Sequence, residues 1–250
     1  MDSPSIVSLS GQMALRQQLD ITANNLANAT TTGFRGDRTL FQTHVSRLEV
    51  PGREVAFVQD RATYLDTQPG TISATGNPLD LAIEGNAYFA VERPGGGRGY
   101  TRDGRLHIAP DNTLVDSSGR PVLDEGGGRI LMPEQVGKIE IRTDGTILAM
   151  VEGRIGQAGR IGLFRGGDPR AIRKGGDGLL EIPAADVQPV PANAPGIRLQ
   201  QGALEASTVR PVQELSNLTL IQRAYESMQR IVAEDDDRVR KMIETLGRSN

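Results

Sequence analysis

The C-terminal region carries a row of apolar residues at heptad spacing, and this feature most restricts how the chain can fold. The steps along the row alternate between three and four residues over about four heptads, with one acidic position at Asp235. The row consists of Leu218, Ile221, Tyr225, Met228, Val232, Val239, Met242 and Leu246. Pro211 suits a first helical turn, and Gly247 follows the last apolar position. The spacing therefore predicts one helix of about 35 residues and about 50 Å, with a coiled-coil-like seam.

The N-terminal region predicts a second, shorter amphipathic helix. Residues 5–29 contain no proline, and their apolar residues recur at close to a helical period. The run from Thr30 to Gly33 then predicts the end of this helix. Burying one seam contributes about 15–25 kcal/mol, which does not clearly offset the entropy of ordering about 35 residues at about 1–2 kcal/mol each. We therefore expect the two terminal helices to pair, and other copies or other chains to cover the remaining surface.

The predicted assembly interface is drawn from both terminal helices. Its N-terminal members are Leu9, Met13, Leu19, Asn24, Asn25, Leu26 and Asn28, and its C-terminal members are the residues of the heptad row. Asparagine is a poor helix former, so Asn24, Asn25 and Asn28 are open to two interpretations. They mark a fraying last turn of the helix, or they form a row of amides that bond to neighbouring subunits. An ordinary two-helix layer packed on the rest of the protein is the alternative to an assembly interface.

The middle of the chain predicts antiparallel β structure. Apolar residues alternate with others, as at Leu79, Leu81 and Ile83, which is typical of a half-buried strand. Turn signals separate such runs, namely Asp103-Gly104, Ser118-Gly119, Asp144-Gly145 and Glu152-Gly153. The expected fold class is α+β, a mainly antiparallel β middle with paired terminal amphipathic helices. The expected domains are 1–35 with 205–250 (helical), 36–75 with 183–204 (connecting, β or extended) and 76–182 (β).

Composition argues against several classes of function. The 28 basic and 31 acidic residues give a formal net charge of -3, which does not suit a nucleic-acid-binding protein. Apolar runs are too short for a transmembrane helix, and the first residues do not resemble a cleaved signal peptide. Cysteine is absent, and the acidic run 234–237 would fan out around a helix rather than converge on a metal ion. We expect no catalytic site, no metal site and no cofactor.

Three separated motifs give the chain a family resemblance. Residues 9–15 (LSGQMAL), 19–29 (LDITANNLANA) and 32–35 (TGFR) form the N-terminal motif, and residues 201–205 (QGALE) and 222–226 (QRAYE) form the C-terminal motif. Residues 75–83 (TGNPLDLAI) and 100–104 (YTRDG) form the middle motif. Together they resemble the bacterial flagellar rod and hook proteins over nearly the whole chain.

The resemblance implies a structural subunit of the proximal rod of the flagellar basal body. Such subunits form a helical tube that transmits motor torque across the periplasm, with the terminal helices in the inner layer. The implied partners are copies of the chain, distal rod and more proximal axial proteins, and the flagellar type III export apparatus. Export would need no cleaved signal peptide and no direct membrane insertion. The alternatives are a distal rod protein of the same family and a secreted β-rich binding module or adhesin.

Overall fold

A computed structural model describes residues 3–47, 54–192 and 194–247. Its two helices are α1, Ser3–Ala27, and α2, Pro211–Gly247. The strands are β1 Asp37–Arg47, β2 Glu54–Leu65, β3 Ile72–Ala74, β4 Leu81–Glu84, β5 Tyr88–Glu92, β6 Arg98–Thr101, β7 Leu106–Ile108, β8 Leu114–Asp116, β9 Lys138–Ile141, β10 Thr146–Val151, β11 Arg154–Arg160, β12 Leu163–Arg165, β13 Arg173–Lys174, β14 Leu180–Glu181, β15 Gln188–Pro189, β16 Arg198–Gln201 and β17 Ala203–Glu205. The predicted α+β class with mostly antiparallel sheets is confirmed.

Backbone contacts divide the chain into two compact units. The first unit comprises the described parts of 1–27, 37–63 and 210–250, and it contains α1, α2, β1 and most of β2. The second unit comprises the described parts of 28–36 and 64–209, and it contains the other strands. Within the first unit, α1 contacts both α2 and β1. Gly11 marks a close approach of the helices, because a Cβ built there would lie 3.1 Å from the Cε atom of Met228.

The second unit has its hydrophobic core around a six-stranded sheet in the order β13-β14-β6-β5-β12-β15. Strand β5 is buried on both faces, since Phe89 and Val91 join one apolar cluster and Tyr88 and Ala90 join another. Separate two- and three-stranded sheets, β16-β4 and β11-β10-β9, contribute Leu199, Ile141 and other apolar residues to the first of these clusters.

Strand β4 is more deeply buried than its sequence pattern predicts. Leu81 and Ile83 alternate with Ala82, which predicts that one face of the strand meets solvent, yet all three residues are buried. The reason is tertiary, because β4 pairs with β16 and also lies against β17, both of which come more than 100 residues later in the chain. Neighbouring strands thus cover a face that the local pattern assigns to solvent.

Only some of the predicted turn signals join two strands that pair with each other. Glu152 and Gly153 both take positive φ values, 49° and 78°, and they join β10 to β11 as a two-residue hairpin turn requires. Asp144 and Gly145 join the paired strands β9 and β10. Asp103-Gly104 does not make a hairpin, because β6 pairs with β5 and β14 whereas β7 pairs with β8. The hairpin prediction at that position is wrong, and Gly104 instead packs against the backbone of Leu81.

Replacing Gly104 with alanine is expected to lower the free energy of unfolding by about 1–3 kcal/mol, because the new Cβ would collide with the Leu81 carbonyl. Urea denaturation of the full chain measures the change. Gly156→Ala in β11 is the matched control, because nothing lies within 4 Å of a Cβ built there. Equal unfolding midpoints for the two variants would contradict the packing argument.

Candidate assembly site

A buried ion cluster in the second unit joins residues from three distant parts of the chain. Its members are Arg35, Arg102 and Glu205, whose side chains are 4%, 1% and 1% exposed. The Oε1 atom of Glu205 lies 2.9 Å from Nη2 of Arg35, and its Oε2 atom lies 2.6 Å from Nη2 of Arg102. Two guanidinium groups therefore share one carboxylate, and the cluster carries a net positive charge away from water.

Arg102 is fully engaged, whereas Arg35 is not. The Nη atoms of Arg102 donate to the backbone carbonyls of Ile83, Gly85 and Ala87 at 2.6–2.9 Å, and its Nε donates to Glu205. Nε and Nη1 of Arg35 are buried and meet no hydrogen-bond partner among the described residues. Carbonyl dipoles therefore compensate the charge of Arg102, while Arg35 depends mainly on Glu205.

Backbone hydrogen bonds hold the same segments together. The Gly33 amide donates to the Glu205 carbonyl at 2.8 Å, and the Thr208 amide donates to the Phe34 carbonyl at 3.0 Å. Gly33 has a φ of 66°, and a Cβ there would collide with the backbone of Arg102. Only glycine combines this conformation with so close an approach. Gly33 was predicted as a helix-ending residue, but α1 already ends at Ala27, and Gly33 instead holds this contact with Glu205 and Arg102.

Burial shapes the protonation of the cluster. Burial lowers the pKa of the Arg102 guanidinium, and the nearby Glu205 carboxylate opposes this change. The neighbouring Tyr88 has its pKa raised by burial and lowered to a smaller extent by Arg35 and Arg102. Arg102 stays charged and Tyr88 stays neutral at physiological pH, because a guanidinium keeps its proton and burial disfavours the ionised phenol.

The sequence motifs supplied all three members, although none was predicted as a site residue. Arg35 ends the N-terminal motif, Arg102 is the centre of YTRDG, and Glu205 ends QGALE. Hydrophobic periodicity does not predict such a contact, because it uses only the spacing of apolar residues within one helix or strand. The available signal was that each of these three segments, TGFR, YTRDG and QGALE, places a charged residue close to glycine and to aromatic or aliphatic residues.

The predicted asparagines have different surroundings. The Asn25 side chain is buried, its Nδ2 donates to the Asp37 carbonyl, and its Oδ1 accepts from the Asp37 amide, each at 2.9 Å. Within the first unit, the Asn25 side-chain amide therefore bonds both the N–H and the C=O group of Asp37, as the backbone of a neighbouring strand does. Asn24 is exposed, and Asn28 is half-buried and accepts from the Thr31 hydroxyl. Whether these amides also serve an interface between subunits stays a prediction.

Replacing Asn25 with alanine is expected to lower the free energy of unfolding by about 1–3 kcal/mol, because the partly buried Asp37 amide and carbonyl would both lose the Asn25 side chain as their partner. Thermal unfolding of the full chain measures the loss. Asn217→Ala on the exposed side of α2 is the control, and it should change the stability little or slightly raise it. A melting temperature of Asn25→Ala equal to that of the control would show that the paired hydrogen bonds do not contribute.

The apolar residues of the predicted interface range from buried to exposed. In α1, Leu9 and Met13 are 56% and 66% exposed, while Leu19 and Leu26 are half-buried. In α2, Ile221 is buried, and the half-buried seam residues are Leu218, Tyr225, Met228 and Val232. The side chains of Val239, Met242 and Leu246 lie outside the part that the structure describes.

Helix α2 also exposes apolar residues that the heptad pattern omits. Val212, Leu215, Leu220 and Ile231 are all more than half exposed. Leu220 and Ile231 each precede a seam residue, so they lie about 100° around the helix from the seam. The pattern missed them because it follows a single stripe, whereas α2 carries apolar residues on more than one side.

Neither a cluster of metal-ligating side chains nor a helix suited to crossing a membrane is found among the described residues. No group of three or more potential metal-ligating side chains converges among them. None of the helices, over the residues searched, is both long enough and apolar enough to cross a membrane.

Three family models match regions of the chain that overlap the three motifs. A model described as "Flagella basal body rod protein" matches residues 7–35. A "Flagellar hook protein FlgE/F/G D1 domain" model matches residues 82–149, and a "Flagellar basal body rod FlgEFG protein C-terminal" model matches residues 200–245. The three matches together contain Arg35, Arg102 and Glu205.

Curated relatives match along their whole length. The chain is 40% identical to the flagellar basal-body rod protein FlgF of Caulobacter vibrioides, with 100% of both chains aligned. It is 36% identical to FlgF of Mesorhizobium japonicum over 99% of each chain, and 31% identical to FlgF of Salmonella typhimurium over 95% of each chain.

Fold, motifs and relatives together define a structural protein of the bacterial flagellum basal body, not an enzyme. More particularly, the chain belongs to the flagellar basal-body rod protein family and is FlgF-like. The family resemblance and the structural role predicted from the motifs are confirmed. The alternatives of a distal rod protein and of a secreted binding module are not favoured.

Proposed function

We propose that the chain is a subunit of the proximal rod, and that α1 and α2 pair in a coiled-coil-like manner to form the inner layer of a helical tube. The observation that carries this proposal is the distribution of apolar residues on α2. One side contacts α1 and contains the buried Ile221. Val212, Leu215, Leu220 and Ile231 remain exposed on the isolated chain, and covering each would contribute about 1.5–3 kcal/mol.

The partners that would cover these residues are copies of the chain and other rod proteins. A rod grows by heterologous contacts that repeat without closing, and exposed apolar residues along one helix suit repeated helix packing. The predicted interface residues at Leu9 and Met13 fit the same role, since both are exposed on α1. The three-part division predicted from the sequence, with a terminal helical domain, a connecting region and a β domain, belongs to this proposal.

The same proposal places the subunit in the rod that crosses the periplasm and carries torque. It includes delivery by the flagellar type III export apparatus, without a cleaved signal peptide. Both points rest on membership of the rod family and on the FlgF-like sequence.

The test is an in-frame deletion of residues 212–246 in the source bacterium, with isolated basal bodies imaged by electron microscopy. A proximal subunit predicts basal bodies that lack the rod beyond this subunit and lack the hook, and cells that do not swim. The unaltered chain supplied from a plasmid is the control and should restore both. A long rod stub that ends just below the hook would instead indicate a distal position. Complete rods and normal swimming would overturn the structural proposal.

A further inference from the structure

The cluster of Arg35, Arg102 and Glu205 connects segments that are otherwise separate in the chain. One segment, residues 33–36, follows the N-terminal helix, and another, residues 203–208, precedes the C-terminal helix. Both lie in the second unit, and Arg102 lies between them in sequence. Residues 33–36 are the entry segment, and residues 203–208 are the return segment.

Three hydrogen bonds join the two segments directly, while residues 203–205 of the return segment also pair with β3 and the Gly36 carbonyl also accepts from the Asp66 amide. Gly33 of the entry segment donates to the Glu205 carbonyl, Gly36 donates to the Thr208 hydroxyl, and Thr208 donates to the Phe34 carbonyl. The Lys174 ammonium also lies 3.9 Å from the ring centre of Phe34 in the entry segment. Removing either segment would leave donors or acceptors of the other unpaired.

The return segment also anchors residues 70–71. The Gly70 amide donates to the Glu205 carboxylate at 2.8 Å, and the Ala206 amide donates to the Thr71 carbonyl at 2.8 Å. Glu205 therefore accepts from Arg35, Arg102 and Gly70 at once. A carboxylate with so many donors in a buried setting links their positions, because losing it leaves all three unsatisfied.

The charge balance of the cluster depends on which of the two segments is in place. With Arg102 held by carbonyls, Glu205 faces one satisfied and one unsatisfied guanidinium. Without the return segment, both arginines would be buried with no counter-charge, which is strongly unfavourable. Without the entry segment, Arg102 and Glu205 remain as a balanced pair, but the Glu205 carbonyl loses the Gly33 amide and the Thr208 amide loses the Phe34 carbonyl.

We propose that the Arg35–Arg102–Glu205 cluster is a coincidence latch, which closes the second unit only when the entry and return segments are both docked on Arg102. The two segments then open and close together rather than one at a time. A chain that has not yet presented its return segment holds the second unit in a loosened form. This inference concerns the isolated subunit, so it can fail while the proposed rod function stands.

Hydrogen exchange of the full chain in dilute solution tests the latch, with the entry segment and residues 206–208 followed separately. Glu205→Gln keeps the side-chain shape and removes the charge. We expect exchange in both segments to rise together, on the order of 100-fold. A rise confined to the return segment, or no rise in either, would overturn the latch.

Arg35→Met is the second variant, and it decides the question even if Glu205→Gln fails to fold. It leaves Arg102 and Glu205 charge-balanced, so the unit should fold. The latch predicts faster exchange at residues 206–208 as well as in the entry segment, each by about 10-fold or more. Faster exchange in the entry segment alone would show an ordinary local contact. Glu92→Gln is the control, because Glu92 pairs with Arg129 at an exposed site of the same unit, and neither segment should respond.

Discussion

Arg102→Met is expected to lower the free energy of unfolding by about 3–5 kcal/mol, the largest loss among the substitutions considered for the second unit. Methionine fills a similar volume but donates no hydrogen bond. The carbonyls of Ile83, Gly85 and Ala87 would lose their donor in a buried setting, and Glu205 would keep only Arg35 as its counter-ion. Urea denaturation of the full chain, followed by circular dichroism, measures the loss.

Two companion variants separate charge from geometry. Arg102→Lys keeps the positive charge but lacks the planar fork that reaches several acceptors, so its loss of stability should be intermediate. Arg129→Met removes an ion pair whose arginine is 55% exposed, and it should change stability little. If Arg102→Met shifted the urea midpoint as little as Arg129→Met does, the buried cluster would not stabilise the second unit.

Ile221→Asp is expected to abolish incorporation of the subunit into rods and to stop swimming. Ile221 is 6% exposed in the helical unit, and an unpaired carboxylate at this position would disfavour the contact between α2 and its neighbours. The second unit should still fold, because its core contains none of α2. Swimming in soft agar and electron microscopy of basal bodies measure assembly, and protease resistance of residues 64–209 measures the fold of the second unit.

The comparison with Leu220→Asp separates packing within the subunit from packing between subunits. Leu220 is 63% exposed, so aspartate there should leave the unfolding of the isolated chain nearly unchanged and yet block assembly. Asn217→Asp, at an exposed polar position of the same helix, is the control and should swim normally. Normal rods with Ile221→Asp would contradict the proposal that the seam is an interface. Normal rods with Leu220→Asp would contradict the proposal that the exposed apolar residues of α2 contact other subunits.

The buried cluster gives the three family motifs a common physical meaning. The motifs lie near the two ends and in the middle of the chain, and each contributes one charged residue to the same contact. Their charges meet where water is excluded, so each residue constrains the other two. A motif described as a helix ending or a turn can therefore also be part of the interior of the second unit.

Local signals in the sequence were enough to determine the helices and several turns. Pro211 and Gly247 bound α2 where the heptad row predicts it, because helix ends are decided by backbone groups within one turn. The Glu152-Gly153 and Asp144-Gly145 signals join paired strands because each turn needs only its own positive-φ residues and its neighbours. The antiparallel β class of the middle follows from the same short-range patterns.

Only the tertiary structure decided the contacts between distant segments. Asp103-Gly104 carries the same hairpin signal as the others, yet its flanking strands pair elsewhere, because Gly104 is needed against Leu81. Ala82 is buried because β16 and β17 arrive from far along the chain. Arg102 and Glu205, 103 residues apart, are polar residues in a core, and no periodic pattern marks them. The sequence by itself determined the two helices, the antiparallel β class of the middle and the family, while long-range packing determined which charged residues and faces are buried, since burial depends on partners that local spacing does not encode.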